Sequence, residues 1–160
     1  LRLNTTAAAG STTPYAGTPT DSLFSINNGV IGGYTNVISY CFTDVKGYSK
    51  FGSYTGNGNV DGSFIFTGFK PAWFMLKRTD GANSWQIFDN KRDTGNALDN
   101  ALEANDSAAE ATGTDRLDFL SQGVKLRTNG AAQNASGGTY IYMAFGQSLV
   151  GSNNIPCTAR

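Results

Sequence analysis

The stretch Gly47-Tyr48-Ser49-Lys50-Phe51-Gly52-Ser53-Tyr54-Thr55-Gly56-Asn57-Gly58 decides the fold class of this chain. Its aromatic residues lie at positions 48, 51 and 54, a spacing of three that resembles a helical period. Glycines interrupt the same stretch, and each costs a helix about 1 kcal/mol relative to alanine. Because this cost outweighs the spacing, the stretch predicts a strand followed by a turn.

The rest of the chain continues this pattern of short strands and turns. Ser63–Phe69 alternates, and Trp73–Arg78 is an apolar run that we expect to emerge into water at its basic end. Further strands are predicted at Leu23–Ile26, Val37–Phe42, Trp85–Asp89, Phe119–Leu120, Val124–Arg127 and Thr139–Phe145. Val37–Phe42 is apolar on both sides and is expected to be buried on both. With Gly/Asn-rich turns and no convincing long helix, the sequence predicts an all-β fold, a β-sandwich or a jelly-roll-like arrangement.

The aromatic residues between positions 48 and 88 have two possible roles. We expect Phe64, Phe66, Trp73, Phe74 and Phe88 to form the core. Exposed tyrosines can instead stack on sugar rings while asparagines bind the hydroxyls, and Tyr48, Tyr54 and Asn57 are the candidate glycan-binding residues. The alternative for these tyrosines is packing in the core or in an oligomer interface.

Residues 89–110 interleave Asp and Asn with Ala and Leu. One helical turn around Ala97–Ala104 is an alternative, but Asn and Asp compete with helical backbone bonds, so we predict a structured surface loop. Asp89, Asp93 and Asp99 are candidate metal ligands, because Ca²⁺ binds carboxylate and carbonyl oxygens. The favoured interpretation is Asx-turns. We therefore expect no cofactor, with Ca²⁺ as the open alternative.

Composition limits the function classes. The chain has 160 residues, 12 Lys+Arg and 12 Asp+Glu, which argues against nucleic-acid partners, and no segment approaches the ~20 apolar residues of a membrane-inserted span. It has no histidine, the commonest general base and transition-metal ligand. The lysines lie in patterns typical of solvated strand ends. We therefore expect no enzymatic activity. The two cysteines, Cys41 and Cys157, allow at most one disulfide, but Cys41 lies in an apolar run, where we favour a free thiol that behaves as a small hydrophobic residue, with the disulfide as the alternative.

The beginning of the chain is similar to its end. Leu1–Ala9 matches Leu102–Glu110, and Val37–Phe42 matches Tyr140–Phe145, with nearly the same spacing. Such a repeat predicts modular organisation. We predict that residues 1–44 are the end of a preceding partial repeat packed on the main module, 45–160, and that the chain is a piece of a longer protein.

The string Gly47–Gly58, followed by Thr67–Ala72, Lys77-Arg78 and Trp85, resembles a domain of unknown function found in structural proteins of tailed marine bacteriophages. Asp118–Ser121 and Ser136–Phe145 fit the same resemblance. It implies a virion component, namely a tail fibre, a head fibre or a capsid decoration, located on the virion surface. The expected partners are further copies of the chain, as a homo-oligomer with a trimer favoured, other virion proteins and a host surface glycan. A lectin-like carbohydrate-binding module and a filament-forming surface protein remain as alternatives.

Overall fold

The computed structural model of the protein describes residues 1–10, 17–18, 20–27 and 38–147. It is nearly all β, which confirms the predicted fold class. The strands are β1 (Ser49–Thr55), β2 (Phe64–Phe66), β3 (Pro71–Arg78), β4 (Gln86–Asp89), β5 (Leu102–Glu103), β6 (Leu117–Leu120), β7 (Gly123–Leu126) and β8 (Thr139–Gly146). A short helix, α1 (Ala131–Asn134), precedes β8. Residues 89–110 contain no helix, as predicted, but they are more than a surface loop, because β5 lies within them and Leu98 and Ala101 are buried in the core.

The larger sheet is antiparallel and has the strand order β1-β8-β3-β4-β5. Strand β8 lies between β1 and β3, with Tyr140 opposite Tyr54 on one side and Arg78 on the other. The smaller sheet is also antiparallel, with the order β2-β7-β6.

One hydrophobic core joins the two sheets. The larger sheet contributes Phe74 and Tyr140, and the smaller sheet contributes Ile65 and Val124 to the same cluster. Burying one such aliphatic or aromatic side chain is worth about 1.5–3 kcal/mol. The two sheets therefore form the layers of a sandwich around this cluster.

The predicted core was correct for Phe74 and Phe88, which are fully buried, whereas Trp73 is half-buried. It was wrong for Phe64 and Phe66, which are 49% and 63% exposed. Alternation along a strand shows which side chains share a face, but it does not show which face is inside. In β2 the inward position belongs to Ile65, so both phenylalanines point outward.

The expectation that the lysines are solvated was wrong for Lys77, whose side chain is fully buried. Its ammonium donates to the backbone carbonyls of Thr6 at 3.2 Å and Arg78 at 2.7 Å. Burial lowers the pKa of Lys77, and the neighbouring charge of Arg78 lowers it further. Ala9 N–H also donates to the carbonyl of Thr79 at 2.7 Å. The first nine residues are thus hydrogen-bonded to β3 and to the turn that follows it.

The chain divides into two units, residues 10–42 and residues 1–9 with 43–160. The boundary between residues 42 and 43 lies close to the predicted boundary at 44/45, but the first nine residues belong to the larger unit. Residues 102–103 form a strand, whereas the matching start of the chain forms none. The origin of residues 1–44 as a partial repeat stays a prediction.

Two predicted strands in the smaller unit were wrong where the structure describes them. Residues 23–26 form no strand beyond an isolated β-bridge at Ile26, and residues 38–42 form none and are exposed, with Tyr40 at 82% exposure. Apolar composition alone misled here, because such a run is buried only if a neighbouring element covers it. Val37 lies outside the described residues. Cys41 is exposed rather than buried, and because Cys157 lies outside the described residues, their pairing stays a prediction.

Candidate functional site

An exposed polar loop connects β1 to β2, and we call residues Asn57–Asp61 the asparagine loop. The Asn57 Oδ1 accepts a hydrogen bond from the backbone N–H of Asn59 at 3.0 Å, and the Asn59 Oδ1 accepts one from the N–H of Asp61 at 3.0 Å. These are two successive Asx-turns, in which a short polar side chain replaces a backbone acceptor. They hold these exposed residues in fixed positions, with the Asp61 carboxylate paired to Lys125 at 2.7 Å.

A buried asparagine anchors this loop from below. Asn134, the last residue of α1, is fully buried. Its Oδ1 accepts a hydrogen bond from Asn57 N–H at 2.9 Å, and its Nδ2 lies 2.8 Å from the carbonyl oxygens of both Asn59 and Thr128. Buried polar groups need such partners, because an unpaired one costs about 1–3 kcal/mol. The loop is therefore tied to the interior at both its start and its middle.

Tyr54 is held by packing and hydrogen bonding within the fold. Its ring stacks on Tyr140 with centroids 4.8 Å apart and planes at 7°, and its hydroxyl donates to the Gln133 carbonyl at 2.7 Å. Burial raises the pKa of Tyr54 well above its usual value, and the neighbouring Tyr140 adds to this shift. The side chain of Tyr54 thus packs against the core cluster.

Tyr48 lies just before β1, at the opposite end from the asparagine loop. It is 38% exposed and packs edge-on against Phe145, with centroids 6.0 Å apart. Tyr48 and Tyr54 are six positions apart, which along an extended strand is about 20 Å. The structure therefore does not bring the three predicted glycan-binding residues into one cluster. Of the three, Asn57 and Tyr48 are exposed, and they lie far apart.

The segment that follows β4, residues 90–113, contains the short strand β5 and surrounds Arg92, and we call it the arginine-centred loop. The Arg92 guanidinium donates to Asp89 Oδ2 at 2.6 Å and also pairs with Glu110. It further donates to the carbonyls of Asn100 at 3.2 Å and Ile87 at 3.0 Å. One cation thus connects the end of β4, at Ile87 and Asp89, to Asn100 and Glu110 farther along the segment. A long surface segment is ordered in this way without a helix.

The candidate calcium ligands are bound to other groups within this loop. Asp93 Oδ2 accepts from the N–H groups of Asp99 at 3.1 Å and Asn100 at 2.9 Å, while Asp99 Oδ2 accepts from Gly113 N–H at 3.1 Å. Burial acts to raise the pKa of Asp89, but hydrogen bonds from Arg92 outweigh this effect and lower it. In the part of the chain that the structure describes, no three acidic or cysteine residues group as metal ligands would. The structure therefore does not bring Asp89, Asp93 and Asp99 together as one ligand set.

Sequence reasoning missed the two residues that organise these loops. Arg92 is a basic residue inside an Asp/Asn-rich segment, which is a signal for an internal ion pair. Asn134 gives no such signal, because it is 77 positions from Asn57 and nothing local indicates that it is buried. Among the described residues, no helix is long and apolar enough to cross a membrane.

Comparison with known proteins gives one match. A protein-family model described as Domain of unknown function (DUF7483) matches residues 1–148. No curated protein and no solved structure matches the chain. Because the family model covers most of the chain, the protein belongs to the family described as Domain of unknown function (DUF7483).

Proposed function

We propose that this domain is a non-enzymatic structural module of a bacteriophage virion, in a tail fibre, a head fibre or a capsid decoration. Its role is to present a surface for host attachment or to stabilise the particle. The observation that carries the proposal is the pair of ordered surface loops on an all-β sandwich, held by Asn134 and Arg92. A particle surface needs such loops, because an exposed segment that opens readily is cut by proteases.

The chemistry of the loops also supports a non-enzymatic role. The Asp89 carboxylate is neutralised by Arg92, and the carboxylates of Asp93 and Asp99 accept backbone N–H bonds within their own loop. General acid–base catalysis instead requires a carboxyl group that is placed to exchange protons with a substrate. The carboxylates of this segment serve to order the loop.

The location on the particle is testable in virions. An antibody against the domain should label purified particles at the tail or the capsid in immunogold electron microscopy, and peptides of the domain should be found in the same particles. Failure to find the domain in particles that infect normally would overturn the proposal. If the domain ends a fibre, we expect three copies together, whereas a capsid decoration can have another symmetry. The number of copies at each site on the particle therefore distinguishes a fibre end from a decoration protein.

The second candidate function is carbohydrate binding by the asparagine loop. The observation in its favour is that Asn57, Asn59 and Asp61 are exposed and preordered, which reduces the entropic cost of binding a ligand. A glycan array screened with the full chain tests this function. The variant Asn57→Ala should abolish any binding at this loop, whereas Tyr48→Ala should leave it unchanged because Tyr48 lies at the other end of β1. Retained binding by Asn57→Ala would exclude the loop as the glycan site.

A further inference from the structure

The four edge strands of the two sheets differ in how far their outer backbone groups are already paired. On β6, the backbone of Leu117 exchanges hydrogen bonds with Leu98, and the side-chain amide of Asn96 pairs with both the N–H and the carbonyl of Phe119 at 3.0 and 3.1 Å. The Asn96 amide thus acts as one residue of an additional strand. Exposed edges are ready templates for pairing with other chains, and this edge is protected against it.

Both edge strands of the larger sheet are also protected against pairing with other chains. On β1, Ser49 is paired with Val45, and the N–H of Phe51 donates to Asp44 Oδ1 at 2.9 Å. Strand β5 is only two residues long. Three of the four edge strands are therefore covered in part or too short to offer a template.

Strand β2 is the exception. Thr67 N–H donates to the Gln122 carbonyl and Leu126 N–H donates to the Ser63 carbonyl, so within residues 63–67 the odd-numbered residues bond toward β7. Because alternate residues of a strand bond in opposite directions, the backbone groups of Phe64 and Phe66 point away from the sheet. Within the described part of the chain, these groups have no hydrogen-bond partner.

The side chains of this edge are also apolar and accessible. Phe64 and Phe66 are 49% and 63% exposed, and Leu120 lies on the same outer face two strands away. Gly123 lies between them, and a Cβ there would come within 3.1 Å of the Phe64 ring and 2.1 Å of the Ile65 carbonyl oxygen. The glycine thus leaves room for the phenylalanine ring to lie low across β7. The result is an apolar surface that is continuous with an open backbone edge.

We propose that β2 pairs antiparallel with β2 of a second copy of this chain, across a two-fold axis at Ile65. In this register Phe64 of one copy lies opposite Phe66 of the other, and the converse pair forms by symmetry. Both pairs are of the hydrogen-bonded type, because the backbone groups of these residues point outward. The small sheet then continues across the axis as one sheet of six strands, with four phenylalanines at the centre of its outer face.

An antiparallel pair is the arrangement in which this open edge matches itself. Asp61, before β2, is already paired with Lys125 at 2.7 Å, so the charges beyond the strand do not set the arrangement. A two-fold axis at Ile65 instead joins the free N–H and carbonyl groups of Phe64 and Phe66 in both copies and leaves neither β2 edge open. The strand is therefore complementary to itself in hydrogen bonds and apolar surface.

This inference goes beyond the proposed virion role, and its two-fold contact gives a dimer rather than the trimer that a fibre end predicts. The first test is sedimentation velocity of the full chain over a range of concentrations. The wild-type chain should dimerise, and Phe66→Lys should weaken the dimer about thirtyfold or more, as expected at the centre of an interface. The matched control is Leu102→Lys, because Leu102 is an exposed leucine on the other sheet and should leave dimerisation unchanged.

The second test reads the register directly, in a background of Cys41→Ser and Cys157→Ser. Chains carrying Phe64→Cys and Phe66→Cys should form a disulfide when mixed, because these positions lie opposite each other. Each variant alone should crosslink far less, since identical positions are offset along the two strands. Equal crosslinking of each variant with itself would overturn the register.

A wild-type chain that stays monomeric, or a trimer that Phe66→Lys leaves intact, would overturn the β2 contact altogether. The virion proposal is decided separately, by immunogold labelling of particles. Labelled particles together with a monomeric or β2-independent domain would reject this inference and leave the virion role standing.

Discussion

Asn134 and Asn57 exchange two hydrogen bonds at 2.9 Å although 77 positions separate them in the chain. The pair joins the end of α1 to the loop after β1, and through it the surface loop depends on a residue in the interior.

Replacing Asn134 by Ala should destabilise the protein. The change leaves the N–H of Asn57 and the carbonyls of Asn59 and Thr128 without their partner, and we expect a loss of about 2–4 kcal/mol from the free energy of unfolding. Urea unfolding monitored by fluorescence measures this loss. Asn129→Ala, an exposed change five residues earlier, is the control and should cost less than about 0.5 kcal/mol. Equal stabilities of the two variants would contradict the anchoring role.

Burial of Tyr54 predicts a loss of stability in alkaline solution. Its pKa is raised in the folded state above the ordinary 10.0, so above that pH the unfolded chain releases a proton that the folded chain keeps. The folded state then binds more protons, and the free energy of unfolding falls as pH rises through this range. Tyr54→Phe should flatten this decline by up to about 1.4 kcal/mol per pH unit. Unfolding curves at several alkaline pH values measure the slope, and identical slopes for both proteins would refute the prediction.

Arg92→Met should loosen the arginine-centred loop while leaving the sandwich folded. Without the guanidinium, Asp89 and Glu110 lose their shared cation and the carbonyl of Ile87 loses a donor. We expect about 1–3 kcal/mol of destabilisation and faster proteolysis between positions 93 and 113. Limited proteolysis with mass spectrometry locates the cuts. Lys91→Met is the matched control, since Lys91 is exposed. Cuts at the same rate in both variants would show that Arg92 does not order the loop.

Calcium should have no effect on the melting temperature of the wild-type chain. Arg92 supplies a positive charge beside Asp89, and Asp93 and Asp99 are occupied by backbone N–H groups. Thermal unfolding with millimolar CaCl₂ and with EDTA measures this directly. A calcium-dependent rise of several degrees that disappears in Asp93→Asn would establish a calcium site in the loop.

Lys77→Met should release the first nine residues from the sheet. Methionine keeps the apolar stem and removes the ammonium that binds the Thr6 carbonyl. A hydrogen bond from a charged donor is worth about 1.5–3 kcal/mol, so protection of the Ala9 amide from hydrogen exchange should fall about tenfold or more. Lys70→Met, at an exposed lysine, should leave that protection unchanged. Unaltered exchange at Ala9 in Lys77→Met would refute the contact.

The sequence predicted those features that depend on residues close to one another along the chain. The glycines of Gly47–Gly58 decided between helix and strand, and the alternation of Ser63–Phe69 correctly placed Phe64 and Phe66 on one face. Whether that face is inside depends on the second sheet, which local sequence does not encode. The same limit explains Lys77, because its burial requires the first residues of the chain to lie across β3.

The position of β8 between β1 and β3 has a consequence for synthesis. Strands β1 and β3 leave the ribosome well before their shared neighbour, so neither can complete its pairing until residue 146 has been made. During this interval the nascent chain carries unpaired strands with large apolar side chains. Translation speed over the last third of the domain, and chaperones that bind these strands, should therefore affect the yield of folded protein.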